Sequence, residues 1–227
     1  MKTINHFLFY SALFITTLSC AYYIIWGFIV YFYHSPIPEK SNRLVSVIIA
    51  AHNEEDNIEL LLLDLSVQTY PNYEIILVLD NCSDKTLEKS RSLNIKQLKT
   101  IELNNTEKGK KSALSRGIKE ASGDFLVFTD ADCRIPHSDW LIHMAGTSSG
   151  QDDVHIGVSL IHPKSNSKLL NLFIQFETLQ TAIQYIGSAI IHLPYMALGR
   201  NWGYTKILAN KLDGLQKHQY VIGGDDD

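Results

Sequence analysis

The sequence predicts an α/β fold with a mainly parallel central sheet, preceded by one transmembrane helix. Three observations carry that prediction. Residues 7–33 are almost entirely apolar or aromatic, and no charged side chain stands between Lys2 and Glu39. Beyond them, short β-branched apolar runs alternate with stretches of helical periodicity. Strand, helix and strand in succession imply right-handed crossovers and parallel pairing.

The apolar run at 7–33 is long enough as a helix to cross a hydrocarbon core of about 30 Å. Tyr22, Tyr23, Trp26, Tyr31 and Tyr33 crowd its second half, where amphipathic rings favour the headgroup level. A cleaved signal peptide has an apolar core of only about 7–15 residues. Lipoprotein cleavage before Cys20 is disfavoured by Thr17 and by the hydrophobic run that continues after the cysteine. Residues 1–33 therefore read as an uncleaved anchor. Lys2 lies on one side of it and Lys40 and Arg43 on the other, a bias that places the body in the cytoplasm. Residues 34–43, with Pro36 and Pro38, read as an extended linker.

The body, residues 44–227, begins with a buried strand at 44–50. A helix follows, with Glu54, Glu55 and Asp56 expected in its first turn and Ile58, Leu61, Leu62 and Leu65 at helical spacing. Tyr70-Pro71-Asn72 ends that segment, and Tyr73–Leu79 is the second strand. A more polar strand is expected at 99–103, a helix at 110–121 and a strong strand at 125–129. The second half is less regular, with a strand at 154–161 and a long helix at 169–191. That helix has apolar residues on most faces, including Phe173, Phe176, Leu179, Ile183 and Ile186. Gln175, Glu177, Gln180 and Gln184 argue against a second span, and a packed helix is expected in preference to one lying on the membrane.

Composition sets limits on function. The 227 residues hold 20 Lys+Arg against 24 Asp+Glu, so no basic excess drives binding to nucleic acid. Cys20, Cys82 and Cys133 form neither a zinc ligand pair nor a disulfide framework. With no His arranged beside them, Cys82 and Cys133 read as small buried residues, and the nine His show no HExxH-like pair.

In parallel sheets ligands gather at the carboxyl ends of the strands, and Asn53-Glu54, Asp80 and Asp130-Ala131-Asp132 all fall there. Two carboxylates at i and i+2 after a strand suit a divalent cation that completes its shell with water and phosphate oxygens. Asp80 opens a polar turn ending in Asp84; it can accept hydrogen bonds from a base or ribose, or it can shape the turn and cap the next helix. Lys108, Gly109, Lys110 and Lys111 precede a helix, as a phosphate site or as a solvated charge run. They are not a P-loop, because Lys111 stands where Ser or Thr is needed and Asn104 where the first glycine is needed. No GxGxxG fingerprint is present. The chain closes on Gly223-Gly224-Asp225-Asp226-Asp227, where adjacent carboxylates can raise one pKa for general-base work or form an acidic tail.

Taken in order, Val45 to Glu54 (VSVIIAAHNE), Leu79 to Asp84 (LDNCSD), Gly109-Lys110 with Ala113-Leu114, Asp130-Ala131-Asp132, Gly199-Arg200-Asn201-Trp202 and the terminal Asp triplet resemble the family 2 glycosyltransferases. The resemblance covers nearly the whole body. It implies a GT-A fold, inverting transfer from a nucleotide sugar, usually a UDP-sugar, and dependence on Mg²⁺ or Mn²⁺. By position it implies that Glu54 and Asp80 contact the uridine and that Lys110 lies near the diphosphate. Asp132 becomes the main metal ligand with Asp130 beside it, and Gly199, Arg200, Asn201 and Trp202 line the acceptor side. The catalytic base maps to Asp226, or to Asp225 in the other register of the triplet. Partners implied are a nucleotide-sugar donor and a glycan or lipid acceptor, in cell-surface glycan or glycolipid synthesis. Membrane-bound relatives continue with a Gln-x-x-Arg-Trp motif that is not found before Asp227, so the chain is expected to be C-terminally incomplete.

Rival readings are a phosphatase of the haloacid dehalogenase type and a membrane-tethered nucleotide-binding domain without turnover. The former places its Asp-x-Asp after the first strand, which here ends in Ala51-His52-Asn53-Glu54. The latter would bind nucleotide and transfer nothing.

Overall fold

The computed structural model describes residues 2–35, 37–38, 41–103, 109–146, 154–161 and 167–211. In chain order the elements are α1 (Lys2–Phe32), β1 (Val45–Ala51), α2 (Ile58–Ser66), β2 (Tyr73–Leu79), α3 (Thr86–Ser92), β3 (Leu98–Glu102) and α4 (Lys110–Glu120). They continue as β4 (Phe125–Phe128), α5 (Trp140–Gly146), β5 (Val154–Ile156), α6 (Lys168–Ile190), β6 (Trp202–Thr205) and α7 (Lys206–Lys211). The chain divides into two compact units, Met1–Ser35 with Leu160–Met196, and Pro36–Ser159 with Ala197–Asp227.

The second unit holds a six-stranded sheet of order β3-β2-β1-β4-β6-β5. β1 pairs in parallel with β2 and β4, and β2 with β3, as the strand and helix alternation predicts. β6 runs antiparallel to β4, and β5 antiparallel to β6. The apolar runs are continuous because both faces of the sheet are covered. Val45, Val47 and Ile49 point to the side of Ile58, Leu61, Leu62 and Leu65 from α2. Ile48, Ile76, Val78 and Leu126 point to the other side, where Ala113, Leu114 and Ile118 of α4 close the core. Gly117 brings α4 down onto the sheet, since a Cβ there would stand 2.5 Å from Ile48 Cγ2.

Three expectations need correction. α2 begins at Ile58, so Glu54, Glu55 and Asp56 precede it and Glu59 is the acid of its first turn. The backbone N–H groups of Glu54 and Glu55 go instead to Thr86 Oγ1 at the start of α3 and to Asp84 Oδ2 in the loop after β2, at 2.8 and 3.0 Å. β5 spans only Val154–Ile156: the Gly157 N–H still reaches the facing Asn201 carbonyl at 2.8 Å, but the next carbonyl, of Val158, takes the Asn201 side-chain amide in place of backbone. The third correction concerns α6, whose first half is not packed: Leu172, Phe173, Phe176 and Leu179 are all exposed.

The first unit is built from α1 and α6. In α1 the stretch His6–Phe32 is long and apolar enough to cross a membrane, with none of it buried. α6 meets α1 through its second half. Gln180 Nε2 donates to Tyr23 Oη at 2.6 Å, Tyr22 Oη donates to Gln184 Oε1 at 3.3 Å, and the Trp26 ring lies over Gly187.

Candidate active site

At the carboxyl ends of β1, β2 and β4 the sheet opens into a cleft of about 390 Å³ lined by Ala50, Ala51, His52, Glu54, Asp80, Lys110, Asp130, Ala131 and Asp132. The topology explains the gathering. Because β1 lies between β2 and β4 and all three run the same way, residues that follow three separate strands meet at one end of the sheet.

Asp80 is nearly buried. One carboxylate oxygen accepts the Gly109 N–H at 2.9 Å and the other accepts Asn81 Nδ2 at 2.9 Å. It therefore holds the start of α4 against the end of β2, and Gly109 takes φ 93 there. A carboxylate has about four lone-pair sites, so Asp80 keeps acceptor capacity for a ligand. The two readings of this residue, turn former and ligand acceptor, are thus compatible. His52 places Nδ1 2.5 Å from the Asp80 carbonyl. A carbonyl only accepts, so Nδ1 carries the hydrogen.

Glu54 is half-buried, and its Oε2 accepts Asn57 Nδ2 at 2.7 Å. Its loop is laced to the loop after β2. Asn53, at φ 56, accepts the Ser83 N–H on Oδ1 at 2.8 Å, and Glu55 Oε2 accepts the Lys85 N–H at 3.0 Å. Asp84 accepts the Thr86 hydroxyl at 2.6 Å. Desolvation pushes the Asp84 carboxyl up, but bonds from the Thr86 hydroxyl and the Thr86 and Glu55 amides hold it below the ordinary range.

Asp130, Asp132 and Cys133 place ligand atoms within 4.8 Å of one another. Lys110 Nζ stands 3.1 Å from Asp130 Oδ1, bringing the start of α4 to the Asp-Ala-Asp turn. The donor set fits a hard divalent cation such as Mg²⁺ or Mn²⁺: two carboxylates, one of them exposed, with room for water and phosphate oxygens. Burial, and then the neighbouring Asp130 charge, push the Cys133 thiol up; a hard cation takes oxygen ligands in preference to sulfur. Cys82 is likewise raised, by burial first, and its Sγ lies 3.4 Å from the Ala51 carbonyl.

One contact that sequence reasoning missed fixes this turn from below. Asp64 of α2 accepts Arg134 Nε and Nη2 at 2.7 and 3.0 Å, and also the Ile135 N–H at 2.9 Å. Arg134 lies two residues after Asp132, so the clamp bears on where the Asp130 and Asp132 carboxylates stand.

The remaining sequence candidates fall elsewhere. Gly199, Arg200, Asn201 and Trp202 do not line the cleft. Asn201 fastens its loop, accepting Trp140 Nε1 at 3.0 Å and donating to the Val158 carbonyl at 2.8 Å. Trp202 opens β6 and stacks on Phe128 with ring centroids 5.1 Å apart. Arg200 Nε is buried without a hydrogen-bond partner among the described residues. Asp225 and Asp226 lie outside the described residues, as does Lys108.

The strand-end cleft thus brings the Asp-x-Asp turn together with the Glu54 and Asp80 carboxylates and Lys110. Residues 46–205 match the family model described as "Glycosyl transferase family 2", and the chain belongs to that family. Over 94 residues it is 45% identical to the dolichol-phosphate mannosyltransferase of Pyrococcus furiosus, a match covering 40% of this chain and 26% of that protein. Over 170 residues it is 29% identical to the probable glycosyltransferase YdaM of Bacillus subtilis, covering 72% of this chain and 37% of that protein. The chain thus matches about a quarter to somewhat over a third of the length of these curated relatives.

Among solved structures, the mannosyltransferase PcManGT from Pyrobaculum calidifontis, in complex with GDP-Man and Mn²⁺, superposes with a TM-score of 0.66 at 20% identity. That likeness covers 86% of this chain and 54% of PcManGT. S. aureus TarS 1-349 in complex with UDP gives a TM-score of 0.54 at 24% identity, covering 74% of this chain and 48% of that one. These likenesses establish the GT-A fold expected from the sequence.

Proposed function

We propose that this chain is the donor-binding part of a membrane-anchored, inverting glycosyltransferase that moves a sugar from a UDP-linked donor to an acceptor hydroxyl. The observation that carries the reading is the convergence of Glu54, Asp80, Lys110, Asp130 and Asp132 in one cleft. Glu54 and Asp80 take the base and ribose as hydrogen-bond acceptors, and Lys110 lies beside the diphosphate. Asp132, with Asp130, holds Mg²⁺ or Mn²⁺; a cation bound there neutralises the charge that builds on the leaving diphosphate. Asp226, or Asp225 in the alternative register, deprotonates the acceptor hydroxyl in line with the leaving group. Gly199, Arg200, Asn201 and Trp202 belong to the acceptor side.

Two facts about other proteins support this reading: PcManGT was solved with GDP-Man and Mn²⁺, and TarS with UDP. α1 supports membrane anchoring, with the body in the cytoplasm, and a glycan or lipid acceptor of the cell surface fits that location. The test is equilibrium binding of UDP to the full chain in detergent with Mn²⁺ present. Asp80→Ala and Lys110→Ala should each weaken binding by about tenfold, the loss of one hydrogen-bonded or charged contact. No binding by the folded full chain would overturn the proposal.

A further inference from the structure

Six large apolar side chains in the first half of α6, Leu169, Leu170, Leu172, Phe173, Phe176 and Leu179, are each between 46% and 79% exposed. Leu169, Leu172, Phe173, Phe176 and Leu179 recur at spacings of three and four, so they share one helix face, while Thr178 and Thr181 lie away from it. A soluble surface seldom leaves so long an apolar stripe uncovered.

The position of α6 within its own unit says what covers it. Gln180 and Gln184 are bonded to Tyr23 and Tyr22, and Gly187 lies under Trp26. These three rings form the aromatic half of α1, which in a membrane-crossing helix stands at headgroup level. The attachment therefore holds α6 at the depth where an amphipathic helix lies in the interface, and α1 itself leaves Leu18, Ile24 and Ile25 exposed. Glu177 is the one formally charged residue between Leu169 and Ile190, and it is exposed at the edge of the stripe. A lone carboxylate in that place is tolerated by an in-plane helix, whose edge reaches water, and opposed by deep insertion. After the helix, His192 turns the chain at φ 61, and Leu193 and Tyr195 are again exposed.

We infer that α6 is a second membrane element, an interfacial helix whose Leu169–Leu179 face sits among lipid acyl chains beside α1. The inference rests on the reading of α1 as a membrane anchor, and it reverses the expectation of a helix buried in protein. It also gives the division of the chain a physical meaning: α1 and α6 form the lipid-contacting unit, and the sheet with its cleft forms the other.

The test uses the full chain with Cys20, Cys82 and Cys133 replaced by Ser, reconstituted in phosphatidylethanolamine and phosphatidylglycerol vesicles. A polarity-sensitive fluorophore is attached to Phe176→Cys, Thr181→Cys or, in α1, Phe14→Cys, with circular dichroism confirming an unchanged helix content. Acyl-chain nitroxide lipids should cut the Phe176→Cys signal by about twofold or more and aqueous iodide should spare it, with the reverse at Thr181→Cys. A label at Phe176→Cys quenched by iodide and not by lipid, while Phe14→Cys is quenched by lipid, would overturn the inference and leave the anchor standing. Shielding of the Phe176→Cys label from both quenchers would also overturn it, because protein and not lipid would then cover the face. Iodide access at both Phe14→Cys and Phe176→Cys would overturn the anchor and the interfacial helix together.

Discussion

Asp64 shows how a side chain outside the cleft governs the groups inside it. It receives two guanidinium bonds from Arg134 and the Ile135 amide, and so ties α2 to the segment that leaves the Asp-Ala-Asp turn. Desolvation raises its pKa, but the Arg134 and Ile135 bonds outweigh that and leave it below the ordinary value. A carboxyl whose folded pKa is depressed adds stability that is fully present above the unfolded value, about 4, and is lost as pH falls through the lower folded value. Asp64→Asn should therefore destabilise the chain by about 1–2 kcal/mol at neutral pH, the solvent-exposed Arg134 end limiting the effect. Equilibrium denaturation in detergent should show the gap to the parent closing below about pH 4. A gap that stays constant with pH would mean that the charge of Asp64 plays no part. Nothing in the sequence marked this residue, since a lone Asp among the leucines of α2 reads as a solvent-facing position. Glu54, Asp80, Asp130 and Asp132 were legible because each follows an unmistakable strand.

The helices differ in how firmly the chain dictates them. α4 depends on two glycines for separate reasons. Gly109 adopts φ 93 with ψ 156, a region nearly closed to other residues, and its N–H is held by Asp80. Gly109→Ala should cost about 1–3 kcal/mol of stability and weaken UDP binding as well, because a backbone that leaves φ 93 turns its N–H away from Asp80; unchanged affinity would separate Asp80 from that loop. Gly117 meets Ile48, and Gly117→Ala should cost about 1–3 kcal/mol by overpacking, with little effect on UDP affinity in the folded fraction. β1, β2 and β4 were legible as continuous apolar runs because they are buried on both faces, whereas β6, four residues long, gave no such run and was not anticipated. The start of α2 was not, because Glu54 and Glu55 serve partners about 30 residues away, beyond any local pattern. α6 was misjudged because an apolar helix has the same sequence whether protein or lipid covers it.

At the scale of the molecule, one unit holds the helices α1 and α6 and the other holds the sheet with its cleft. With α1 in the bilayer, the full chain should remain in the membrane pellet after washing at alkaline pH; release into the supernatant would contradict the anchor. The central claim concerns the other unit, that the Asp-Ala-Asp turn and the β1 and β2 ends form one metal-dependent nucleotide site. The most direct measurement is calorimetric titration of the full chain with UDP, with and without Mn²⁺, beside Asp132→Ala. The account predicts UDP binding that strengthens by about tenfold or more with Mn²⁺ in the parent, and no response to Mn²⁺ in Asp132→Ala. UDP binding that ignores Mn²⁺ in the parent, or keeps its Mn²⁺ response in Asp132→Ala, would contradict it.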